Sequence, residues 1–217
     1  MRRAEYFLGL DPGQSHDHTG MAVVERAELM GEWDAVAFAF RRRAALRLRY
    51  LERVPLGTPY PEVVERAGKV ARSVEELGRC HMGVDATGVG RPVVDLLRRA
   101  GMGCRLWPVV ITAGDTEGVE KGYYRVPKRD LIVGMQVLLQ AGELQIAGKL
   151  PYRSELAEEM AAMRVKVTER GHEQYGAWRE GEHDDLVLAV ALACWVARKV
   201  YPRRLAGEDG WWARREE

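Results

Sequence analysis

The chain has 217 residues, 47% of them apolar and 30% charged, and 33 Lys and Arg against 32 Asp and Glu leave a formal net charge of +1. That length suits one domain around one core, and the composition excludes long disorder. A charge this close to zero excludes a general attraction to nucleic acid, so any such binding has to be local.

Three widely spaced cysteines in apolar surroundings, Cys80, Cys104 and Cys194, exclude a disulfide framework and a CxxC metal clip. The longest apolar run, Leu186 to Val196, is too short to span a bilayer, and Met1-Arg2-Arg3 does not lead into a secretory segment. A cytoplasmic protein with no membrane partner is expected.

Tyr6 to Leu10 reads as a short strand stopped by Asp11-Pro12-Gly13. Met21 to Val24, Val36 to Phe40 and Ala45 to Leu51 read as further strands, which with the first suggest an antiparallel meander. Apolar residues then recur at helical spacing from Pro61 to Gly78. A strand over Met82 to Asp85, a helix over Pro92 to Ala100 and a strand over Cys104 to Ile111 come next in βαβ rhythm, which implies parallel pairing beside the meander.

Thr112 to Val126 reads as a loop, Lys128 to Ala141 as a helix, Leu144 to Ile146 as a short strand and Ser154 to Met163 as another helix. Val165 to Val167 and Tyr175 to Trp178 look like hairpin arms around Arg170-Gly171. The last strong element is Asp184 to Val200, and the residues after Tyr201-Pro202 are polar apart from Trp211-Trp212. The expected organisation is one folded α/β domain over residues 1–200 and a polar tail over 201–217: a mixed central sheet, antiparallel meander plus parallel strands, flanked by helices.

Three acidic sites stand where an element begins or ends among apolar residues. Asp11 ends the first strand, and Asp85 ends Met82-Gly83-Val84 at the carboxyl edge of a parallel strand, where open α/β sheets bind ligands. Asp184 and Asp185 begin a helix that is apolar on every side and therefore has to be buried. Each acid on its own reads equally well as a turn or cap residue. Together they point to a cation site, because like charges buried side by side are costly unless a cation joins them. Oxygen ligands without Cys or paired His suit Mg²⁺ or Mn²⁺, and two such ions can activate water and stabilise a leaving oxygen at a phosphodiester. Asp11, on the most rigid platform, is the expected bridge between two ions.

At these residues the chain resembles the nuclease domain of the large terminase subunit of tailed bacteriophages. The matching stretches are Leu8-Gly9-Leu10-Asp11-Pro12-Gly13 with Asp17 and Thr19-Gly20 after it, Val84-Asp85-Ala86-Thr87-Gly88-Val89-Gly90, and Glu182-His183-Asp184-Asp185-Leu186-Val187-Leu188-Ala189. The resemblance implies an RNase H-like fold over about residues 5 to 200 and endonucleolytic cutting of concatemeric viral DNA during genome packaging, in a bacterial host cell. It places the metal-binding acids on Asp11, Asp85 and Asp185, with Asp17 and Asp184 as auxiliary acids, and His183 beside them orienting a carboxylate or water.

The implied partners are double-stranded DNA, a packaging ATPase, a portal and a small terminase subunit. No G-x-x-x-x-G-K-(S/T) loop occurs, so this chain is not expected to move DNA by itself. Two other readings share the opening motif or the fold. One is a Holliday-junction resolvase, in which Glu usually stands where this chain has Asp85, and the other is a catalytically silent DNA-binding or assembly module.

A duplex would be held near the acids by basic side chains that contact phosphates without reading sequence. The densest basic run is Arg41 to Arg53. Arg47 and Arg49 on one strand, Lys121, Arg125, Lys128 and Arg129 around the 112–126 segment, and Lys166 on the hairpin are the expected contributors. The hairpin itself directly precedes the carboxylate helix and is expected beside the cleft.

Overall fold

The computed structural model describes residues 4–13, 17–88, 90–167, 173–176 and 183–201. Its centre is an eight-stranded sheet of β1 (Ala4–Asp11), β2 (Thr19–Asp34), β3 (Ala39–Val54), β4 (Gly78–Asp85), β5 (Arg105–Thr112), β6 (Gly118–Glu120), β7 (Tyr123–Pro127) and β8 (Leu144–Ile146), in the order β6-β7-β5-β4-β1-β2-β3-β8. β1, β2 and β3 pair antiparallel, whereas β4 lies parallel to β1 and β5 parallel to β4. An antiparallel meander continued by parallel strands is the RNase H-like arrangement.

Five helices cover the sheet: α1 (Tyr60–Glu75), α2 (Gly90–Ala100), α3 (Lys128–Gln140), α4 (Arg153–Ala162) and α5 (Asp185–Val200). Period-2 alternation along β1 sends Phe7 to the core shared with α3, α4 and α5, and Leu8 and Leu10 to the core shared with α1 and α2. A separate two-stranded hairpin, β9 (Arg164–Val167) with β10 (Glu173–Gly176), comes after α4 and packs through β10 on α3. Its tip, and the tail from residue 202, lie outside the described residues.

Two elements differ from the sequence expectation. Val36 to Phe40 is not a strand of its own, because residues 35–38 turn the chain with Phe38 at φ 50° and the two flanking strands are continuous over 16 residues each. The expected loop over Thr112 to Val126 contains β6 and β7, and β7 extends the sheet parallel to β5. β6 is exposed at all three of its residues, so no alternation of apolar and polar side chains marks it.

α5 can lie on the sheet only because glycine stands beneath it on three adjacent strands. A Cβ at Gly9 would come 1.8 Å from the carbonyl oxygen of Ala189, one at Gly20 2.2 Å from that of Asp185, and one at Gly83 2.8 Å from a Val196 methyl. Contacts that close are essentially never made by real Cβ atoms, so at Gly9 and Gly20 backbone packs on backbone, at Gly83 the strand meets the Val196 side chain, and the height and angle of the helix are set from β4 to β2. Gly9→Ala is expected to lower stability by about 2–3 kcal/mol in urea unfolding through overpacking. Gly148→Ala, at a position with open space around it, is expected to stay within about 0.5 kcal/mol of the parent.

Candidate active site

The same glycines decide where the acids go. Side chains two apart on a strand share a face, so Asp11 lies on the α5 side with Gly9, and Asp85 lies there with Gly83. The parallel register Leu10 to Val84 then makes Asp11 and Asp85 neighbours at the carboxyl ends of adjacent strands. Gly20 pairs with Asp11 across β1 and β2, and the first turn of α5 crosses directly above it. Asp185 is carried into the group by that crossing, with only 4% of its surface exposed.

Each carboxylate is held differently. Oδ1 of Asp85 accepts hydrogen bonds from the Thr87 backbone N–H at 2.8 Å and the Thr87 hydroxyl at 2.5 Å, while that hydroxyl accepts from the Ile111 N–H at 2.8 Å. Asp85 therefore does make the local turn that its position allows, and that turn fixes the carboxylate beside Asp11. Asp184 occupies the N-cap position of α5 without capping it. Its Oδ2 instead takes a hydrogen bond from Nζ of Lys128, the first residue of α3, at 2.5 Å.

Two residues that sequence reasoning did not single out complete the arrangement. Arg53 of β3 pairs in register with Gly20 and so stands beside the α5 crossing. It bonds through Nη2 to Glu159 of α4 and brings Nε to 3.5 Å from Oδ2 of Asp185. Glu159, 6% exposed, accepts the Val187 N–H through Oε2 at 3.0 Å and so satisfies a free donor in the first turn of α5. The signal for Glu159 was an acid one turn after Leu156 on the apolar side of α4, and Arg53 closes the basic run already noted.

Crowded, half-desolvated acids resist ionisation. Burial pushes Asp11 well above the ordinary aspartate range, the charges of Asp85, Asp184 and Asp185 push it further, and Lys128 offsets part of this. Asp85 is also raised, chiefly by burial, against the Thr87 hydrogen bonds, Lys128 and a hydrogen bond with the Asp11 carboxyl. Asp185 is pushed up to about 7 by burial and then by Glu159, with Arg53 pulling the other way. These are the signs expected of a group that lacks positive charge.

The donor set fits a hard divalent cation: oxygen only, four aspartates from three separate elements, and Oδ2 of Asp185 buried without a hydrogen-bond partner. Among the described residues no three such groups stand ready-made around one ion. The acids divide instead into the Asp11–Asp85 pair and the two α5 aspartates tied to Lys128 and Arg53.

The remaining expected residues fall at varying distances. Asp17 is exposed and contributes to the field on Asp185. His183 stacks edge-on against His18 with ring centroids 5.3 Å apart, and its Nδ1 is buried without a partner. Arg47 donates to Gln145 and Arg49 to Glu25, about five residues along the sheet from Gly20, or roughly 15 Å. Arg125 pairs with Glu120, Arg129 with Asp115 and Asp130, and Lys121 is exposed. The backbone of Lys166 is in β9, while its side chain lies outside what is described.

No family profile and no curated protein sequence matches the chain. Solved structures do. The large terminase nuclease of thermophilic phage G20c with bound magnesium is 21% identical, with TM-score 0.59 over 88% of this chain and 80% of that one. The large terminase nuclease domain of Thermus phage P74-26 is 20% identical, with TM-score 0.55 over 88% and 78%. The nuclease domain of the bacteriophage SPP1 large terminase with bound manganese is 12% identical, with TM-score 0.50 over 89% and 86%. This chain therefore has the RNase H-like fold found in phage large terminase nuclease domains.

Proposed function

We propose that the chain is a divalent-metal-dependent endonuclease that hydrolyses phosphodiester bonds in double-stranded DNA, of the kind that cuts concatemeric viral DNA during genome packaging. The observation that carries this reading is the convergence of Asp11, Asp85, Asp184 and Asp185 from two strand ends and one helix start into a single electrostatic cluster. Magnesium and manganese in the nucleases of similar fold support the choice of ion. In this reading Asp11, Asp85 and Asp185 would hold two Mg²⁺ or Mn²⁺ ions, with Asp184 and Asp17 assisting. The ions would supply an activated water and a stabilised leaving oxygen.

The protein's own part is positioning. Thr87 aims Asp85, Arg53 steadies Asp185, and Glu159 anchors the α5 first turn that carries the two aspartates. Basic side chains such as Lys121, Arg125 and Arg129 would meet the phosphates, and the β9–β10 hairpin would border DNA entry. A packaging ATPase, portal and small terminase subunit are the proposed partners in the cell.

Supercoiled plasmid with Mg²⁺ or Mn²⁺ is expected to be nicked and linearised by the parent protein, and Asp85→Asn and Asp185→Asn are each expected to lose at least about 100-fold in rate, the scale of losing preorganised charge stabilisation. Activity persisting in both variants would remove the acids from the mechanism.

A second test uses pH. An acid whose folded pKa is raised binds more protons in the folded state, so stability falls as pH climbs from the unfolded value of 3.8 toward the folded value of about 7. For Asp185 the loss reaches up to about 4 kcal/mol by linkage. The thermal midpoint in EDTA is expected to drop between pH 5 and pH 8. Added Mn²⁺ is expected to raise it more at pH 8, where Asp185 has largely lost its proton. A Mn²⁺ effect that is equal or larger at pH 5 would contradict the proposed ligands.

A further inference from the structure

The two α5 aspartates are each tied to a cation, but the two ties are built differently. Arg53 is 18% exposed in its side chain and locked, since Glu159 holds its guanidinium and is itself fixed by the Val187 N–H. Lys128 stands at the first position of α3, 27% exposed, and reaches Asp184 through a flexible four-carbon stem. Its ammonium lies 2.5 Å from Asp184 and within the field of both Asp11 and Asp85. A positive charge is therefore already present among three of the four aspartates, and among the described residues the same carboxylates do not form a ready ligand set for an ion. Oδ2 of Asp185 is buried and accepts no hydrogen bond, its facing charge being Arg53 Nε at 3.5 Å.

We propose that Lys128 is a resident counter-ion of the acid cluster: its ammonium holds Asp184 in the metal-free protein and gives way when a divalent ion binds, which frees it for a phosphate of the DNA. This rests on the nuclease reading above and adds to the phosphate contact expected of Lys128 from the sequence a role as the cation that competes with the metal. The physical basis is exchange of a single charge on a mobile stem for a double charge at the same carboxylates. No such exchange is open to Arg53, whose guanidinium is bonded on its other side to Glu159.

The test is direct Mn²⁺ titration without DNA at pH 7.5, monitored by calorimetry or electron paramagnetic resonance, on the parent, Lys128→Met and Lys128→Arg. Removing the competing charge is expected to tighten Mn²⁺ binding roughly tenfold in Lys128→Met, while Lys128→Arg stays near or below the parent affinity. In an Asp184→Asn background the Lys128→Met effect is expected to shrink, because the pair that holds the ammonium is already broken. At saturating Mn²⁺ the half-saturating DNA concentration of Lys128→Met is expected to rise. Equal or weaker Mn²⁺ binding in a folded Lys128→Met overturns the counter-ion role, even if DNA binding falls as a plain phosphate contact would require. Should the methionine variant fail to fold, Lys128→Gln is read against the same two outcomes. A parent that binds no Mn²⁺ and nicks no plasmid overturns the nuclease reading and this proposal together.

Discussion

Mutual repulsion among carboxylates that the fold forces together is the constraint on which the rest of this structure depends. Asp11, Asp85, Asp184 and Asp185 come from three elements, and burial makes Asp11, Asp85 and Asp185 harder to ionise than in water. A fold selected for stability alone would fill such a spot with apolar side chains, since buried charges seldom stabilise more than well-packed hydrocarbon. Here the surroundings are apolar and the acids are kept, which is the pattern of a site whose electrostatics are completed by something it binds.

The scaffold that enforces this is stiff where it has to be. Gly9, Gly20 and Gly83 let α5 rest on the backbone of three strands, and nearly every α5 side chain from Leu186 to Ala197 is buried. A helix held along its length has little freedom at its first turn. The position of Asp185 over β2 is therefore a consequence of core packing along a helix of 16 residues. Glu159 adds a second hold at the same turn by bonding a backbone N–H that the helix leaves free.

The internal cations divide the labour. Arg53 is part of a buried ion pair with Glu159 and keeps Asp185 in place, whereas Lys128 sits at the more open side of the cluster with Asp184. Basic residues farther along β3 are occupied by Glu25 and Gln145 and belong to the sheet's surface. Among the described residues, positive charge near the acids is thus concentrated in Arg53 and Lys128, from different elements, in a chain whose overall balance is close to neutral.

What the sequence by itself determined is the identity of the parts. The turn after Asp11, the βαβ rhythm around Asp85 and the unbroken apolar run after Asp185 are local patterns, readable because strand alternation and helix burial write themselves into consecutive residues. The meander, the parallel strands and the buried last helix come from the same periodicities. Tertiary structure alone decided what short elements and distant partners do. β6 is exposed throughout and shows no alternation, and Val36 to Phe40 has strand-like composition but sits at a turn. Arg53, Glu159 and the bond between Lys128 and Asp184 are pairings across 106 and 56 residues of sequence. Local pattern can flag such residues but not whom they pair with, because a charged side chain looks the same to its sequence neighbours whether it faces solvent or a carboxylate delivered by another element.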